Sequence, residues 1–387
     1  MRILSLSISM GAGHIKAAEA LKEYVDVRYP KSKNLIIDTL RYVNPLIHKI
    51  VVGGYLAVIH KKPMVYGGLY KMSEYGGNIN KLSQALGGFM STQILRLIND
   101  FKPNIIVCTH PFPLQMVAHL KKQNKINVPA IAILTDFVDH PLWHHDNIEA
   151  YIVAHDYIKS NMLESGVDKR RVFDYGIPVS RAFLENIPKN KARKQLNLED
   201  TLTVLLMGGS LGMGDIENYF RCFSGSKKNL QIITVTGQNS LLKKRIEMAS
   251  RKCGKPTKLF GYTPNIARLM DCSDFIATKP GGMTISEAFV KSLPIFIITP
   301  IPGQEQRNTR FLLNSGAAVK INKDDNIDSL LLQTFENPLR YKHMVQMATH
   351  LSKPNSGHNI VNLMEKLVHD HKKLHGYQTE YTLDCYN

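Results

Sequence analysis

The chain has 387 residues, of which 44% are hydrophobic and 21% are charged, so it is long enough for two α/β domains and has the composition of a globular protein. Its formal net charge is +17, an excess that is spread over both halves instead of being gathered in a tail. A spread excess suits an anionic membrane surface, and no nucleic-acid partner is expected.

No metal cluster, signal peptide or membrane span is predicted. The five cysteines show no metal-ligand spacing and indicate reduced thiols. The first residues read as a strand that runs directly into a glycine turn, which is not the pattern of a signal peptide. The longest apolar run, Leu46 to Ile59, contains His48 and Lys49 and is too short to cross a bilayer. We therefore expect a cytoplasmic protein, peripherally associated with the cytoplasmic face of the cell membrane.

The first chemical motif stands between a predicted strand, Ile3 to Ile8, and a predicted helix, Lys16 to Val27. It reads Gly11-Ala12-Gly13-His14. The glycines clear space around His14, and a helix N-terminus favours the neutral imidazole that a general base requires. The alternative is a histidine that only caps or packs at the turn.

Residues 41–90 have a different composition. Between 41 and 81, basic residues are interleaved with tyrosines and an apolar run, and Glu74 is the single acidic residue. Such a mixture suits a segment that lies at a lipid headgroup boundary; a helical excursion with a solvated basic face is the alternative. The residues expected on the membrane side are Gly13, Lys49, Tyr55, Lys61, Lys62, Tyr66 and Trp143, although a lone Trp also fits a core.

Polar residues follow the next two predicted strands, 104–109 and 130–134. Strand ends in parallel sheets face the ligand crevice, so His110 and Asp136 are cleft candidates. Asp136 is placed to orient a histidine or to bind a hydroxyl group of a ligand. Three histidines at 140–145 raise the idea of a metal site, which we do not predict; the roles of His110, His140, His144 and His145 stay open.

Two glycine-rich loops follow a charged stretch at 185–200, which is interpreted as a linker. The first, 208–214, comes after a predicted strand at 203–207 and suits a phosphate. The second begins at Lys279-Pro280-Gly281-Gly282 and leads into a helix that Thr284 is expected to cap, with Glu287 placed for a capping box or a ribose hydroxyl. A glycine helix start without a ligand is the alternative, as is a surface position for Lys279.

These stretches resemble the donor-binding signature of GT-B glycosyltransferases, and more narrowly the family of monogalactosyldiacylglycerol synthases and processive diacylglycerol glucosyltransferases. Pro302-Gly303-Gln304-Glu305 followed by Asn308 is the part more specific to this glycolipid branch. Gly11 to His14 resembles the N-terminal signature of the same family. The N-acetylglucosaminyltransferase that makes lipid II is a more distant relative.

The resemblance implies an α/β GT-B fold with two Rossmann-like domains and a ligand cleft between them. We expect an N-terminal acceptor domain at 1–184, the linker at 185–200, and a UDP-sugar-binding domain at 201–375. By analogy, the last helix crosses back to the first domain. Residues 376–387 are expected to form a loose tail.

The resemblance also implies an inverting transfer of glucose or galactose from UDP-glucose or UDP-galactose to 1,2-diacylglycerol, without an essential metal ion or cofactor. It makes 41–90 a membrane-facing insertion and places the membrane-side residues named above on the acceptor side. His14 is the expected base, assisted by Asp136, and Gln304, Glu305 and Asn308 are expected to bind the sugar. The residues expected to bind UDP are Gly208, Gly209, Ser210, Gly212, Tyr262 (beside the uracil), Lys279, Gly281, Gly282, Met283, Thr284 and Glu287.

Three other functions remain open from the sequence. One is transfer of N-acetylglucosamine to a polyprenyl-linked cell-wall precursor, against which the Gln304-Glu305 pair argues. A second is a UDP-sugar epimerase on the same fold. The third is a non-catalytic, membrane-associated sensor of UDP-sugars.

Overall fold

A computed structural model describes residues 1–61, 64, 67–68 and 78–381, with side chains at 1–54, 58, 64, 67–68 and 90–374. The chain forms two compact units. The first comprises Met1–Ser180 and Asn355–Asn387, and the second comprises Arg181–Pro354. None of the helices in the described ranges has the length and apolar character that a bilayer crossing requires.

The first unit is built on a six-stranded parallel sheet in the order β2-β1-β3-β4-β5-β6. Its central strands are buried along almost their whole length, as in parallel sheets that helices cover on both faces. The strands are β1 (Arg2–Ser7), β2 (Lys33–Asp38), β3 (Ile105–Cys108), β4 (Ala130–Ile133), β5 (Ala150–Ile152) and β6 (Val172–Phe173). The helices are α1 (Gly13–Arg28), α2 (Thr39–Val43), α3 (Pro45–Lys61), α4 (Asn78–Phe101), α5 (Pro111–Lys122), α6 (Asp156–Glu164) and, after the second unit, α15 (Ser356–Tyr381).

The second unit repeats this plan with a parallel sheet in the order β12-β11-β10-β7-β8-β9. The strands are β7 (Leu202–Met207), β8 (Leu230–Val235), β9 (Thr257–Phe260), β10 (Phe275–Thr278), β11 (Ile295–Ile297) and β12 (Ala318–Lys320). The helices are α7 (Lys189–Gln195), α8 (Ile216–Ser224), α9 (Ser240–Ser250), α10 (Ile266–Cys272), α11 (Gly282–Val290), α12 (Gln304–Asn314), α13 (Ile327–Thr334) and α14 (Pro338–Leu351). Phenylalanines 220, 223, 275 and 296 lie in its core.

Strand register brings the polar loops together. In the second unit, Met207 at the end of β7 pairs with both Val235 of β8 and Thr278 of β10, and Thr278 pairs with Ile297 of β11. In the first unit, Cys108 at the end of β3 pairs with Leu6 of β1 and Ala132 of β4. The loops that follow these strands therefore emerge side by side at the carboxyl edge of each sheet.

The segment predicted as a linker belongs to the second unit. Residues 189–195 form helix α7, and Arg193 in this helix is buried. Its guanidinium donates to Asp200 at 2.6 Å, to Asp274 at 2.7 Å and to the Cys272 carbonyl at 3.1 Å. Cys272 and Asp274 lie 79 and 81 residues beyond Arg193, so these contacts of the segment are not visible in its local sequence.

Two further segments of the structure differ from the sequence-based prediction. Strand β2 was not predicted, although Leu35-Ile36-Ile37 ending at Asp38 is a short apolar run before a turn. The tail predicted from residue 376 is helical as far as Tyr381, and residues 382–387 lie outside the described part of the chain.

Helix α15 completes the first unit. The Ser356 hydroxyl donates to the Gly176 carbonyl at 2.6 Å, and the Tyr24 hydroxyl of α1 donates to the Val179 carbonyl at 3.1 Å. Gly357 packs directly on the Tyr24 ring, and a Cβ at this position would collide with it. The close approach of α15 to α1 therefore requires glycine at this point.

Gly357→Ala should destabilise the first unit by about 1–3 kcal/mol, because the added methyl group overpacks the contact with Tyr24. The matched control is Gly54→Ala in α3, where no described atom lies within 4 Å of the added Cβ. Alanine there should be neutral or stabilising, since it favours a helix. Urea unfolding of the two variants measures both effects, and equal stabilities would contradict the packing described.

Candidate active site

His14 stands at the N-terminus of α1, directly after the glycine turn. Gly11 has a φ of +102°, a conformation that favours glycine, and Gly13 begins the helix. The turn delivers the His14 ring to the carboxyl ends of β3 and β4. There, Nδ1 of His14 lies 2.8 Å from the carbonyl oxygen of Thr109 and 2.7 Å from the hydroxyl of Thr135.

The Thr109 carbonyl determines the tautomer of His14. A carbonyl oxygen can only accept, so Nδ1 must carry the hydrogen that it donates. In a neutral imidazole the other nitrogen, Nε2, then holds the lone pair. The backbone thus orients the ring and leaves Nε2 as a proton acceptor.

Burial keeps this ring neutral. It lowers the pKa of His14 from its ordinary 6.5 to about 4. The hydrogen bond to the Thr109 carbonyl raises this pKa and offsets part of the effect of burial. His110 packs edge-on to His14, with ring centroids 4.7 Å apart and an interplanar angle of 76°. Burial and the neighbouring His14 hold the pKa of His110 well below its ordinary value. Both rings are therefore uncharged at neutral pH.

The residue that contacts the His14 ring from the β4 loop is Thr135 instead of the neighbouring Asp136. Asp136 is partly exposed at the same edge of the sheet. Neither Thr135 nor Thr109 had a predicted role. Their positions directly after β3 and β4 could have indicated a role, because strand ends of a parallel sheet face the ligand crevice.

Several other histidines bond to neighbouring residues in turns. In three of them, Nδ1 accepts the N–H of the residue two positions on and caps a helical turn: His110 (Phe112, 3.1 Å), His140 (Leu142, 3.1 Å) and His155 (Tyr157, 3.2 Å). His144 Nε2 instead lies 2.7 Å from Asp139, and burial lowers the pKa of His145. Within the described residues, no three metal-ligating side chains converge.

The acceptor-side residues are only partly described. Lys49 is exposed on α3, beside the exposed apolar side chains of Leu46 and Ile50, which are 69% and 73% accessible. Trp143 is buried in a short 3₁₀ helix, which contradicts its placement at the acceptor and agrees with a core role. The side chains of Tyr55, Lys61, Lys62 and Tyr66 lie outside the described part of the structure.

The first glycine loop of the second unit needs its glycines for close packing. A Cβ on Gly212 would lie against the Thr236 carbonyl, and one on Gly208 against the Met213 carbonyl. Gln238 donates its N–H to the Ser210 carbonyl at 2.8 Å, which joins this loop to the turn after β8. Gly209 has a φ of +71°. Larger residues could not hold this compact loop.

The second glycine loop leads into α11 with no side chain at its cap. The helix begins at Gly282, and its N-cap, Gly281, makes no side-chain hydrogen bond to the first turn. Thr284 therefore does not cap the helix as predicted, and the capping box with Glu287 is not formed. Glycine at the cap leaves the first backbone N–H groups and the positive helix end available to an anion.

Lys279 is not a surface lysine. Its ammonium group lies 3.0 Å from Oε1 of Glu305, and both side chains are nearly buried. The stem of Lys279 passes beside Gly214, 3.8 Å from where a Cβ would stand. This places a positive charge between the two glycine loops.

Two of the residues predicted to bind the donor sugar, Glu305 and Asn308, instead bond to the backbone or side chains of neighbouring loops. Oε2 of Glu305 accepts the Ile301 N–H at 2.8 Å, so both oxygens of this carboxylate have partners. Asn308 is fully buried and donates to the Pro280 carbonyl at 2.9 Å. Gln304 is the first residue of α12 and remains partly exposed. Of the three, only Gln304 is accessible.

Three other predicted UDP contacts differ in exposure. Tyr262 is 55% accessible after β9. Glu287 is partly exposed on α11. The side chain of Met283 is buried, so only its backbone N–H in the first turn can reach a ligand.

Comparison with known proteins decides the family. A family model described as monogalactosyldiacylglycerol (MGDG) synthase matches residues 14–179, and one described as glycosyltransferase family 28 C-terminal domain matches residues 203–360. The processive diacylglycerol beta-glucosyltransferase of Bacillus subtilis is 30% identical over 332 residues, which cover 84% of this chain and 85% of that protein. This chain belongs to the monogalactosyldiacylglycerol synthase and processive diacylglycerol beta-glucosyltransferase family. The processive diacylglycerol beta-glucosyltransferase of Bacillus cytotoxicus is 28% identical over 368 residues, which cover 94% of this chain and 93% of that protein.

Solved structures show the fold of this glycosyltransferase. MurG of Acinetobacter baumannii matches with a TM-score of 0.58 at 14% identity, over 94% of this chain and 99% of MurG. UDP-GlcNAc 2-epimerase from Neisseria meningitidis, bound to UDP-GlcNAc, matches with a TM-score of 0.61 at 15% identity, over 95% of this chain and 100% of the epimerase. The predicted α/β class, a GT-B fold of two Rossmann-like domains, is confirmed.

His14 of the glycosyltransferase should titrate near pH 4 in NMR spectra, instead of near its ordinary 6.5, with His14→Ala used for assignment. The unfolded chain binds this proton at the higher pH, so His14 lowers the free energy of unfolding as the pH falls from 6.5 towards 4. Above pH 6.5 it has no such effect. A His14 resonance that titrates at 6.5 would contradict the buried, neutral ring.

Asn308→Ala should weaken UDP binding on the order of tenfold, because it leaves the buried Pro280 carbonyl unpaired and loosens the glycine loop. Gln306→Ala, at an exposed position on the same helix, is the matched control and should bind UDP normally. Calorimetric titration with UDP measures both variants. Equal affinities, with thermal unfolding showing both proteins folded, would separate Asn308 from the donor loop.

Proposed function

We propose that this glycosyltransferase moves glucose from UDP-glucose to the free hydroxyl of 1,2-diacylglycerol, with inversion to a β-glucoside. The observation that carries the proposal is the His14 ring, whose Nδ1 faces the Thr109 carbonyl and whose neutral Nε2 holds a lone pair. The names of the relatives, processive diacylglycerol beta-glucosyltransferases, support glucose as the sugar and diacylglycerol as the acceptor.

The proposed chemistry is a direct displacement. The acceptor hydroxyl gives its proton to Nε2 of His14 while its oxygen bonds to the anomeric carbon of glucose. The bond between that carbon and the β-phosphate oxygen breaks, and UDP leaves with the bonding electrons. Proton removal of this kind contributes roughly 10²–10⁴-fold to a rate.

The second unit supplies what the leaving UDP requires. Charge develops on the diphosphate as the bond breaks, and preorganised N–H groups and cations stabilise it. The uncapped start of α11, the 208–214 loop and the Lys279 ammonium group are the groups proposed for this task. With these groups present, the proposal includes no essential metal ion or cofactor.

Helix α3 is proposed to meet the membrane. Diacylglycerol keeps its acyl chains in the bilayer, so the enzyme must reach the headgroup boundary. Leu46 and Ile50 are exposed one helical turn apart, with Lys49 between them in sequence. Apolar side chains beside a basic one suit peripheral binding to an anionic surface at the cytoplasmic face.

The decisive assay supplies labelled UDP-glucose or UDP-galactose to anionic vesicles that contain diacylglycerol, and separates the lipid products. We expect label from UDP-glucose, with a ladder of bands if several sugars are added. His14→Ala should lose transfer by at least about 10²-fold and keep its affinity for UDP, because the base acts only on the acceptor. His369→Ala, on the exposed face of α15, is the control and should keep full activity.

Other outcomes of this assay are equally informative. Label from UDP-galactose alone would replace the proposed sugar. Retained turnover in His14→Ala would remove His14 from the role of base. Absence of glycolipid from both donors, with UDP binding intact, would refute the acceptor, and a polyprenyl-linked acceptor would then be tested.

A further inference from the structure

A second polar cluster lies in the first unit, just before the His14 turn. The Ser9 N–H donates to Oδ2 of Asp38 at 3.2 Å, and the Ser9 hydroxyl is bonded to the same oxygen. Nε2 of His48 lies 3.2 Å from the Ser9 hydroxyl and 3.4 Å from Oδ2 of Asp38. Three side chains thus meet around one carboxylate oxygen.

The members of this cluster come from three different elements. Ser9 follows β1 and starts the loop 9–12, Asp38 is the last residue of β2, and His48 lies in α3. Oδ1 of Asp38 also accepts the Arg41 N–H at 3.2 Å and so caps α2. The cluster therefore connects the helix with the exposed Leu46 and Ile50 to the loop that ends at His14.

The loop is held at both ends by hydrogen bonds, and the space beside Gly11 in its middle is open. At its start, Ser9 bonds to Asp38 and His48; at its end, His14 bonds to Thr109 and Thr135. Between them, Gly11 has a φ of +102° and no described atom near the position of a Cβ. The position of the His14 ring therefore depends on the anchors at both ends.

Hydrogen-bonding chemistry gives each group one role. The Asp38 carboxylate can only accept, so the Ser9 hydroxyl donates to it. The Ser9 oxygen then accepts from the Nε2–H of His48. The side chains of His48 and Asp38 are only 21% and 14% accessible, so water competes weakly for these bonds.

We infer that Ser9, Asp38 and His48 form a positioning cluster through which helix α3 sets the place of the His14 loop. The inference rests on the proposed function, in which α3 lies at the lipid surface and His14 takes the acceptor proton. None of the three touches the reacting atoms. They act by keeping Nε2 of His14 in reach of an acceptor presented at α3.

The test compares His48→Leu with His48→Gln. Leucine removes the N–H donor but keeps α3 apolar, so vesicle binding should persist. Glutamine restores an N–H at the place of Nε2. Glycolipid turnover on diacylglycerol vesicles, vesicle co-sedimentation and UDP affinity are measured for both variants, with His369→Leu on α15 as the control.

We expect kcat for glycolipid to fall about tenfold in His48→Leu, the effect of one lost hydrogen bond, with vesicle binding and UDP affinity unchanged. His48→Gln should recover most of the rate. A Ser9→Ala, His48→Leu double variant should be no slower than the slower single variant, because both changes break the same contact.

Full turnover in His48→Leu would overturn the inference and leave the proposed function intact. An equal loss in His48→Gln, or a loss matched by weaker vesicle binding, would also overturn it. Additive losses in the double variant would show that Ser9 and His48 act separately, and would overturn the inference of one cluster. A wild-type protein that makes no glycolipid would contradict the proposed function, and this inference with it.

Discussion

The hydrogen bond between Nδ1 of His14 and the Thr109 carbonyl determines what the first unit can do. It sets the tautomer, aligns the ring and leaves Nε2 with a lone pair. The bond exists because β1 and β3 are neighbours in the sheet, which brings the glycine turn after β1 to the end of β3. Backbone topology, more than any acidic side chain, thus prepares the proposed base.

The second unit uses its polar side chains to shape loops. Glu305 bonds to Lys279 and to the Ile301 N–H, and Asn308 holds the Pro280 carbonyl. Buried polar groups of this kind are costly when unpaired, so the loops they hold have one preferred form. The proposed electrostatic stabilisation of the leaving group requires backbone N–H groups and a cation that are held in place in this way.

Patterns local in sequence were sufficient for much of the fold and for the two glycine loops, because strand-glycine-helix order and apolar periodicity are short-range signals. Interactions between distant residues were not visible. The linker at 185–200 was predicted from its charges, whose partner Asp274 is far along the chain. The sequence does not show that Trp143 is buried, so it was predicted at the acceptor. It also does not show that the helix begins at Gly282, so Thr284 was predicted as the cap. The roles of Glu305 and Asn308 depended in the same way on contacts across the sheet.

The packing of Gly357 against Tyr24 has a consequence for synthesis. During synthesis the N-terminus of a chain leaves the ribosome first, and domains fold as their residues emerge. The second unit is one continuous segment, whereas the first needs its last helix from beyond residue 355. The part that holds His14 therefore cannot reach its final packing until helix α15 has been synthesised, and the part with the two glycine loops can fold before it.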